Sequence, residues 1–146
     1  MSMSNSLETG LLNLILVNSN FANVGDATGL RGSSTAGNLY YSLHTSDPGE
    51  AGSQTTNETS YTNYTRVAAT RDTSGFTVSG ASGSNAAAVT FAQCGATGAT
   101  ITHVGLGTAS TSTGVLLFSG ALTASLAVSN LVTPSFATSS FSITLD

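Results

Sequence analysis

The chain is unusually poor in charge. Asp, Glu, Lys and Arg make up 7% of its 146 residues, against about 25% in an ordinary soluble protein. Lysine is absent, and the three basic residues are Arg31, Arg66 and Arg71, which leaves a formal net charge of −4. Because phosphates are neutralised by clusters of Lys and Arg, we expect the chain to bind neither nucleic acid nor an anionic membrane surface.

Cysteine, tryptophan and long apolar runs are also scarce. Cys94 is the only cysteine, so it can form no internal disulfide and no Cys-rich metal site, and we expect a small buried hydrophobe. The apolar stretch 11–17 is shorter than the roughly 20 residues that span a bilayer. The N-terminus lacks the basic region of a signal peptide, so no membrane or secretory segment is predicted.

What the chain does have is strand periodicity in a background of Ser, Thr, Gly and Ala. Apolar residues make up 40% of the chain, and they alternate with small polar residues in about eight short segments, as in a sandwich or barrel. We therefore predict a mainly β chain: one domain, 1–146, built as an antiparallel β-sandwich or jelly-roll-like barrel over 39–146. A subunit with so little charge is poorly protected against association, which indicates a surface covered by other chains.

The N-terminal part predicts one helix, over residues 5–19. Asn5 can cap its first turn, with Glu8 three residues later, and leucines recur on one face from Leu7. Two interpretations stay open: the helix covers one face or end of the sheet, or it docks on a neighbouring subunit. Residues 20–38, rich in Gly and Asn, are predicted to form a loop.

The stretch Leu39–Arg71 organises the rest of the chain. An alternating strand runs to His44 and ends at the turn Ser46-Asp47-Pro48-Gly49. A polar arm, residues 46–62, follows, and a second strand is predicted over 64–70. Because loops on a rigid sheet commonly carry contacts, we expect a partner to be contacted by Glu50, Gln54, Glu58, Tyr61, Tyr64, Arg66 and Arg31. The equal alternative is that Tyr64 packs on its own sheet and Arg66 pairs with Asp47 or Glu58 in the same chain.

No set of residues predicts catalysis. His44 with Asp47 and Glu50 has too few ligands at metal-binding spacing, and His103 on an apolar strand is typical of a half-buried structural histidine. There is no G-x-S-x-G elbow, and a phosphate loop needs a lysine that the chain lacks. Gly105 and Gly107 within one strand instead indicate a bulge or the close approach of another backbone. We expect no metal, no cofactor and no enzymatic activity.

Several ordered motifs resemble a known family. They are Leu43-His44-Thr45, Asp47-Pro48-Gly49-Glu50-Ala51-Gly52, Tyr64-Thr65-Arg66-Val67-Ala68, Ala88-Val89-Thr90-Phe91, Ile101-Thr102-His103-Val104-Gly105, Leu116-Leu117-Phe118-Ser119-Gly120-Ala121-Leu122 and Ile143-Thr144-Leu145-Asp146. Together with the N-terminal leucine helix, they resemble the small virion structural proteins of tailed bacteriophages, which include capsid decoration (cement) proteins and tail-fibre-like proteins.

The resemblance implies a virion component without catalytic residues. The favoured expectation is a decoration protein on the outer capsid surface that stabilises contacts between capsomers, with the major capsid protein and copies of itself, as a homotrimer, for partners. The alternative is a tail-fibre or adhesin module that binds a host surface glycan, although aromatic residues for stacking on sugars make up only 7% of the chain. A hydrolase acting on the host envelope is a third class, and it would need His44 or His103 as a catalytic group.

Overall fold

The computed structural model describes residues 2–145. Met1 and Asp146, the two ends of the predicted domain, lie outside this range. Within it, the elements in chain order are the helix α1 (Asn5–Leu16) and the strands β1 (Asn38–His44), β2 (Val67–Thr70), β3 (Phe76–Ser79), β4 (Ser82–Asn85), β5 (Val89–Thr90), β6 (Ala99–Gly107), β7 (Leu116–Val128), β8 (Ser135–Phe136) and β9 (Ser142–Thr144).

The strands form three antiparallel sheets, which confirms the predicted mainly β class and is consistent with a β-sandwich. The sheet orders are β2-β1-β6-β7, β3-β4-β9 and β5-β8, and none of these sheets closes into a barrel within residues 2–145. β4 is a short strand of four residues, whereas β7 is a single long strand of 13 residues.

The backbone divides into two compact units. The first, which we call the helical unit, comprises Met1–Asn38, Ala69–Val89 and Phe136–Asp146. The second, the arm unit, comprises Leu39–Ala68 and Thr90–Ser135. The sequence predicted a single domain over residues 1–146, and that stays a prediction.

In the helical unit, α1 packs on β3 and β4. Ser4, not the predicted Asn5, is the N-cap, and its side chain accepts from the Leu7 N–H. The helix ends at Leu16 rather than at residue 19, because Asn18 takes a left-handed φ of 56° that cannot continue a helix.

The buried face of α1 includes Leu12 and Leu16 of the predicted leucine stripe, but not Leu7. Glu8, Leu12 and Leu16 are buried at i, i+4 and i+8, whereas Leu7 is 36% exposed. Gly83 of β4 permits this packing, since a Cβ there would lie 2.5 Å from the Leu16 Cδ1. No helix within residues 2–145 is long and apolar enough to cross a membrane.

Arg71 ties the end of α1 to the loop that follows it. Its guanidinium donates to the carbonyl oxygens of Leu14 (2.8 Å), Ile15 (2.7 Å) and Ala36 (3.1 Å). The last carbonyls of a helix have no partner within the helix, so a cation at this position both pairs them and favours the negative end of the dipole. Sequence reasoning assigned no role to Arg71.

In the arm unit, β1 and β7 flank β6 in antiparallel register. Tyr41 lies opposite Leu106, and His44 lies opposite His103. The register between β6 and β7 shifts between Ile101 and His103 and again between Leu106 and Gly107. At both shifts the extra residues lie on β7, and at the second shift the extra residue is Leu117, opposite the step from Leu106 to Gly107, so the irregularity is on β7 and not in the glycine strand β6 where a bulge was predicted.

Candidate functional site

The polar arm, residues 46–62, is folded down onto its own sheet. The Thr45 N–H donates to the Asn57 carbonyl and the Thr59 N–H to the Leu43 carbonyl, each at 2.9 Å. Farther out, the Gln54 N–H donates to the Thr113 carbonyl at 3.1 Å. The arm is therefore an ordered part of the arm unit, held at both ends and near its middle by backbone hydrogen bonds.

Gln54 anchors the middle of the arm. Its side chain is fully buried, its Nε2 donates to the Tyr40 carbonyl at 3.4 Å, and its Oε1 accepts from the Ala109 N–H at 2.8 Å. A Cβ on Gly107 or on Gly114 would collide with the Gln54 side chain. Glycine at both positions leaves the space that this amide occupies, which confirms the close approach predicted at Gly107.

His44 joins the sheet to the arm beside Gln54. Its Nδ1 lies 2.9 Å from the Thr56 carbonyl, and its Nε2 lies 2.9 Å from the Ser42 Oγ. A carbonyl can only accept, so Nδ1 carries the hydrogen and Nε2 accepts from the Ser42 hydroxyl. Burial is the main cause that lowers the pKa of His44, and the hydrogen bond to Thr56 and the charge of Glu58 oppose it.

The Ser42–His44 pair has the spacing of a nucleophile and its base, but it is closed to substrate. Both residues are 0% exposed. The Ser42 hydroxyl and the imidazole are each used within the sheet and arm. A nucleophile must reach its substrate, so in this folded state the pair supports the arm and offers no accessible reactive group.

Near the C-terminal end of the arm, Glu58 forms an ion pair with Arg66. Arg66 Nε donates to Glu58 Oε1 and Nη2 to Oε2, both at 2.7 Å, and the side chains are 3% and 14% exposed. Arg66 also donates to the carbonyls of Ala109 and Ser112 at 2.8 Å. The hydrogen bond to Glu58 is the largest cause that raises the pKa of Arg66.

Tyr64 completes this network. Its hydroxyl donates to Glu58 Oε1 at 2.8 Å and accepts from the Leu43 N–H at 3.0 Å. Its ring stacks on Phe91 and meets Tyr61 edge to face. Burial is the main cause that raises the pKa of Tyr64. Tyr64 therefore packs within its own unit and Arg66 pairs with Glu58 of the same chain, as the second interpretation predicted, and contact of these residues with a partner stays a prediction.

Tyr61 and Cys94 lie deeper in the arm unit. Tyr61 is 2% exposed, and its hydroxyl donates to the Ala92 carbonyl at 2.9 Å. Burial is the main cause that raises the pKa of Tyr61 to about 12. Cys94 is 1% exposed, as predicted for a small buried hydrophobe.

The seven predicted contact residues fall into two groups. Five are used inside the chain, fully or partly buried, namely Gln54, Glu58, Tyr61, Tyr64 and Arg66. Glu50, in the arm, and Arg31, in the helical unit, are exposed. Contact with a partner at these positions stays a prediction, and in this folded state Glu50 and Arg31 are the most exposed of the seven residues.

Of the three residues weighed as metal ligands, His44 and Asp47 make ordinary hydrogen bonds within the chain. Asp47 Oδ1 accepts from the Gly49 N–H at 2.8 Å, as expected of a residue that opens a turn. In the part of the chain that the structure describes, no three side chains of His, Cys, Asp or Glu lie together as metal ligands.

Comparison with known proteins places the chain among phage structural proteins. A search of the curated proteins finds no match. A family model described as "Podophage GP4 fiber I protein gp80" matches residues 2–144, nearly the whole chain and both units. The chain therefore belongs to the podophage GP4 fiber I protein gp80 family and is a structural protein of the phage virion.

Proposed function

We propose that this chain is a structural subunit of a fibre on the phage particle. The observation that carries the proposal is the family description, which names a fibre protein and applies to residues 2–144. The sequence favoured capsid decoration over a fibre, but no feature of either unit points to the capsid. Capsid decoration is therefore the competing hypothesis.

The arm unit has the construction that a structural subunit needs. The arm is held by buried side chains, Gln54, His44 and Arg66, whose polar groups are paired within the chain. Paired buried polar groups define one arrangement of a loop, because leaving any of them unpaired costs free energy. We infer that the arm supports the subunit's shape and that the chain acts by assembly, with no chemical step of its own.

In this proposal, the partners are further copies of the chain and neighbouring proteins of the fibre or tail. The exposed carboxylate of Glu50 on the arm and the exposed guanidinium of Arg31 are available for such contacts. The major capsid protein is a partner only under the competing hypothesis. Binding of a host surface glycan at the fibre would be a further role of the same subunit.

Cryo-electron microscopy of the intact particle tests the proposal. A difference map between wild-type particles and particles that lack this protein locates the chain. We expect difference density in a fibre attached to the tail. Difference density at symmetric sites between capsomers would overturn the fibre proposal and make the chain a decoration protein.

A further inference from the structure

The long strand β7 forms one edge of the four-stranded sheet in the arm unit. In the order β2-β1-β6-β7, it pairs with β6 on one side, and no other described strand lies on its other side. An edge strand presents a row of N–H and C=O groups that can pair with another chain. Ser119, Gly120 and Ala121, near the middle of β7, are all exposed.

This edge carries few of the features that normally prevent pairing. Proteins protect exposed edges with lysine or other charges, proline or bulges. β7 contains no charged residue and no proline, and no Asp, Glu, Lys or Arg occurs anywhere from Thr73 to Leu145. β7 does carry the extra residues at both register shifts, but these shifts flank Phe118–Ala121, and that segment runs in continuous register against β6.

The exposed segment is complementary to itself. If two copies of β7 run antiparallel about a two-fold axis at Ser119, Ser119 lies opposite its own counterpart and Phe118 lies opposite Gly120. The space above Gly120 is open, since a Cβ there would meet nothing within 4 Å. An aromatic side chain over a glycine on the neighbouring strand is a favourable cross-strand pair.

Charge also favours a second copy as the occupant. Like charges facing each other across an interface are costly, and two copies of this negatively charged chain avoid that cost at β7, which contributes no charge to either side.

We propose that Phe118–Ala121 of β7 pairs antiparallel with the same segment of a second copy and joins two four-stranded sheets edge to edge. The interface is isologous, because each copy uses the same residues. This inference goes beyond the proposed location, and it holds or fails independently of whether the chain lies in a fibre or on the capsid.

A cysteine at the two-fold position tests the register. In antiparallel pairs, opposed Cα atoms lie about 4.5–5.5 Å apart, within the range that a disulfide bridges. We expect Ser119→Cys to give a covalent dimer under mild oxidation, whereas Thr111→Cys, exposed in the loop before β7, stays monomeric on a denaturing gel. The wild-type protein is the control for cross-linking through Cys94, its only cysteine, which is 1% exposed. No cross-link, or equal cross-linking at both positions, would overturn the register.

Light scattering after size-exclusion chromatography tests the contact itself. We expect an even number of chains for the wild type, half that number for Ser119→Lys, and no change for Thr111→Lys. Tyrosine fluorescence checks that each variant is folded. A three-chain assembly, or an assembly that survives Ser119→Lys, would contradict the two-fold pairing. Wild-type chains that stay monomeric would also contradict it.

Discussion

At the residue scale, the arm unit depends on polar side chains that are buried and paired. Arg66 and Glu58 form a two-point ion pair, and His44 and Gln54 hold the arm through backbone groups. A buried ion pair adds little to stability compared with an apolar substitute, but removing one partner leaves a charge out of water and unpaired. Removing one member of such a buried pair should therefore be costly.

Arg66→Ala should lower the free energy of unfolding of the arm unit by about 3 kcal/mol, because Glu58 would keep a buried charge without its partner. All four tyrosines lie within Leu39–Ala68, so urea denaturation followed by tyrosine fluorescence reports this unit. Arg31→Ala, which removes an exposed cation, should change the value by less than about 0.5 kcal/mol.

The double variant Glu58→Ala/Arg66→Ala provides a second check. It should cost less than the sum of the two single variants, because the second substitution removes the charge that the first leaves unpaired. Strictly additive losses would show that the two side chains do not act as a pair.

His44 should make stability depend on pH. Burial lowers its pKa in the folded chain, whereas in the unfolded chain the pKa is about 6.5. Below about pH 6.5, the unfolded state therefore binds more protons, so the free energy of unfolding falls as the pH falls, by at most about 1.4 kcal/mol per pH unit for one proton. Glu58, Arg66 and His103 are the charged or titratable groups whose fields act on His44.

Urea denaturation of the arm unit between pH 7.5 and 5 measures this effect. His44→Gln, which has no imidazole to titrate, should flatten the dependence on pH. His103→Gln, on the facing position of β6, should preserve it. An unchanged slope in the His44→Gln variant would assign the dependence on pH to other groups.

At the element scale, tertiary packing decided where the helix and the strands begin and end, whereas the sequence pattern predicted these boundaries only approximately. β2 begins at Val67 rather than at residue 64, because the Tyr64 N–H donates to the Tyr61 carbonyl in a turn at 2.9 Å. The position of α1 followed from its leucine pattern. The face that it buries, Glu8, Leu12 and Leu16, depends on where β4 offers space at Gly83.

The contact between the arm and β6 should not tolerate a side chain at Gly107. Gly107→Ala places a Cβ against the Gln54 side chain and the Val115 carbonyl, so we expect a loss of about 1–3 kcal/mol in the stability of the arm unit. Thr100→Ala, at an exposed position of the same strand, is the matched control and should have little effect. Equal stability of the two variants would mean that Gln54 moves aside at no cost.

The end of α1 should loosen when Arg71 is removed. Arg71→Ala leaves the carbonyls of Leu14 and Ile15 without their charged donor, and hydrogen bonds to charged groups contribute about 1.5–3 kcal/mol. Amide hydrogen exchange of Asn5–Leu16, read by mass spectrometry, should speed up accordingly. Arg31→Ala should leave this exchange unchanged, and equal protection in both variants would contradict the role of Arg71.

At the scale of the whole molecule, charge is confined to one part of the sequence. Apart from Asp146, every Asp, Glu, Lys and Arg lies before Thr73. The residues that follow are therefore neutral apart from histidine, and much of the surface that they form is made of Ser, Thr, Ala and Gly. Such a surface is weakly protected against association, which agrees with a structural protein of the phage virion.

Cys94 offers a probe of how the arm unit opens. Its thiol is 1% exposed and lies 3.4 Å from the Gly95 and Thr97 carbonyls. A thiol reagent should therefore modify the native chain slowly, at a rate set by opening, and the unfolded chain at once. Arg66→Ala should speed up the native reaction. A native rate equal to the unfolded rate would show that Cys94 is accessible in the folded state.

The sequence by itself determined the mainly β class, the N-terminal helix, the burial of Cys94 and the resemblance to virion structural proteins. These features depend on local alternation, on composition and on ordered motifs, all of which can be read along the chain. The glycine pair of β6 also indicated a close approach at Gly107, although not the residue that approaches.

Only the tertiary structure decided how the arm is used. Hydrogen bonds join Gln54 to Ala109, Arg66 to Ser112 and Arg71 to Leu14. The two residues of each pair are far apart in sequence. A polar residue in a Ser- and Thr-rich segment reads as a surface residue until its partner is known, because burial of a polar group is favourable only when a distant group completes its hydrogen bonds. That long-range pairing holds the arm against its own sheet, whereas contact of the arm with a partner stays a prediction.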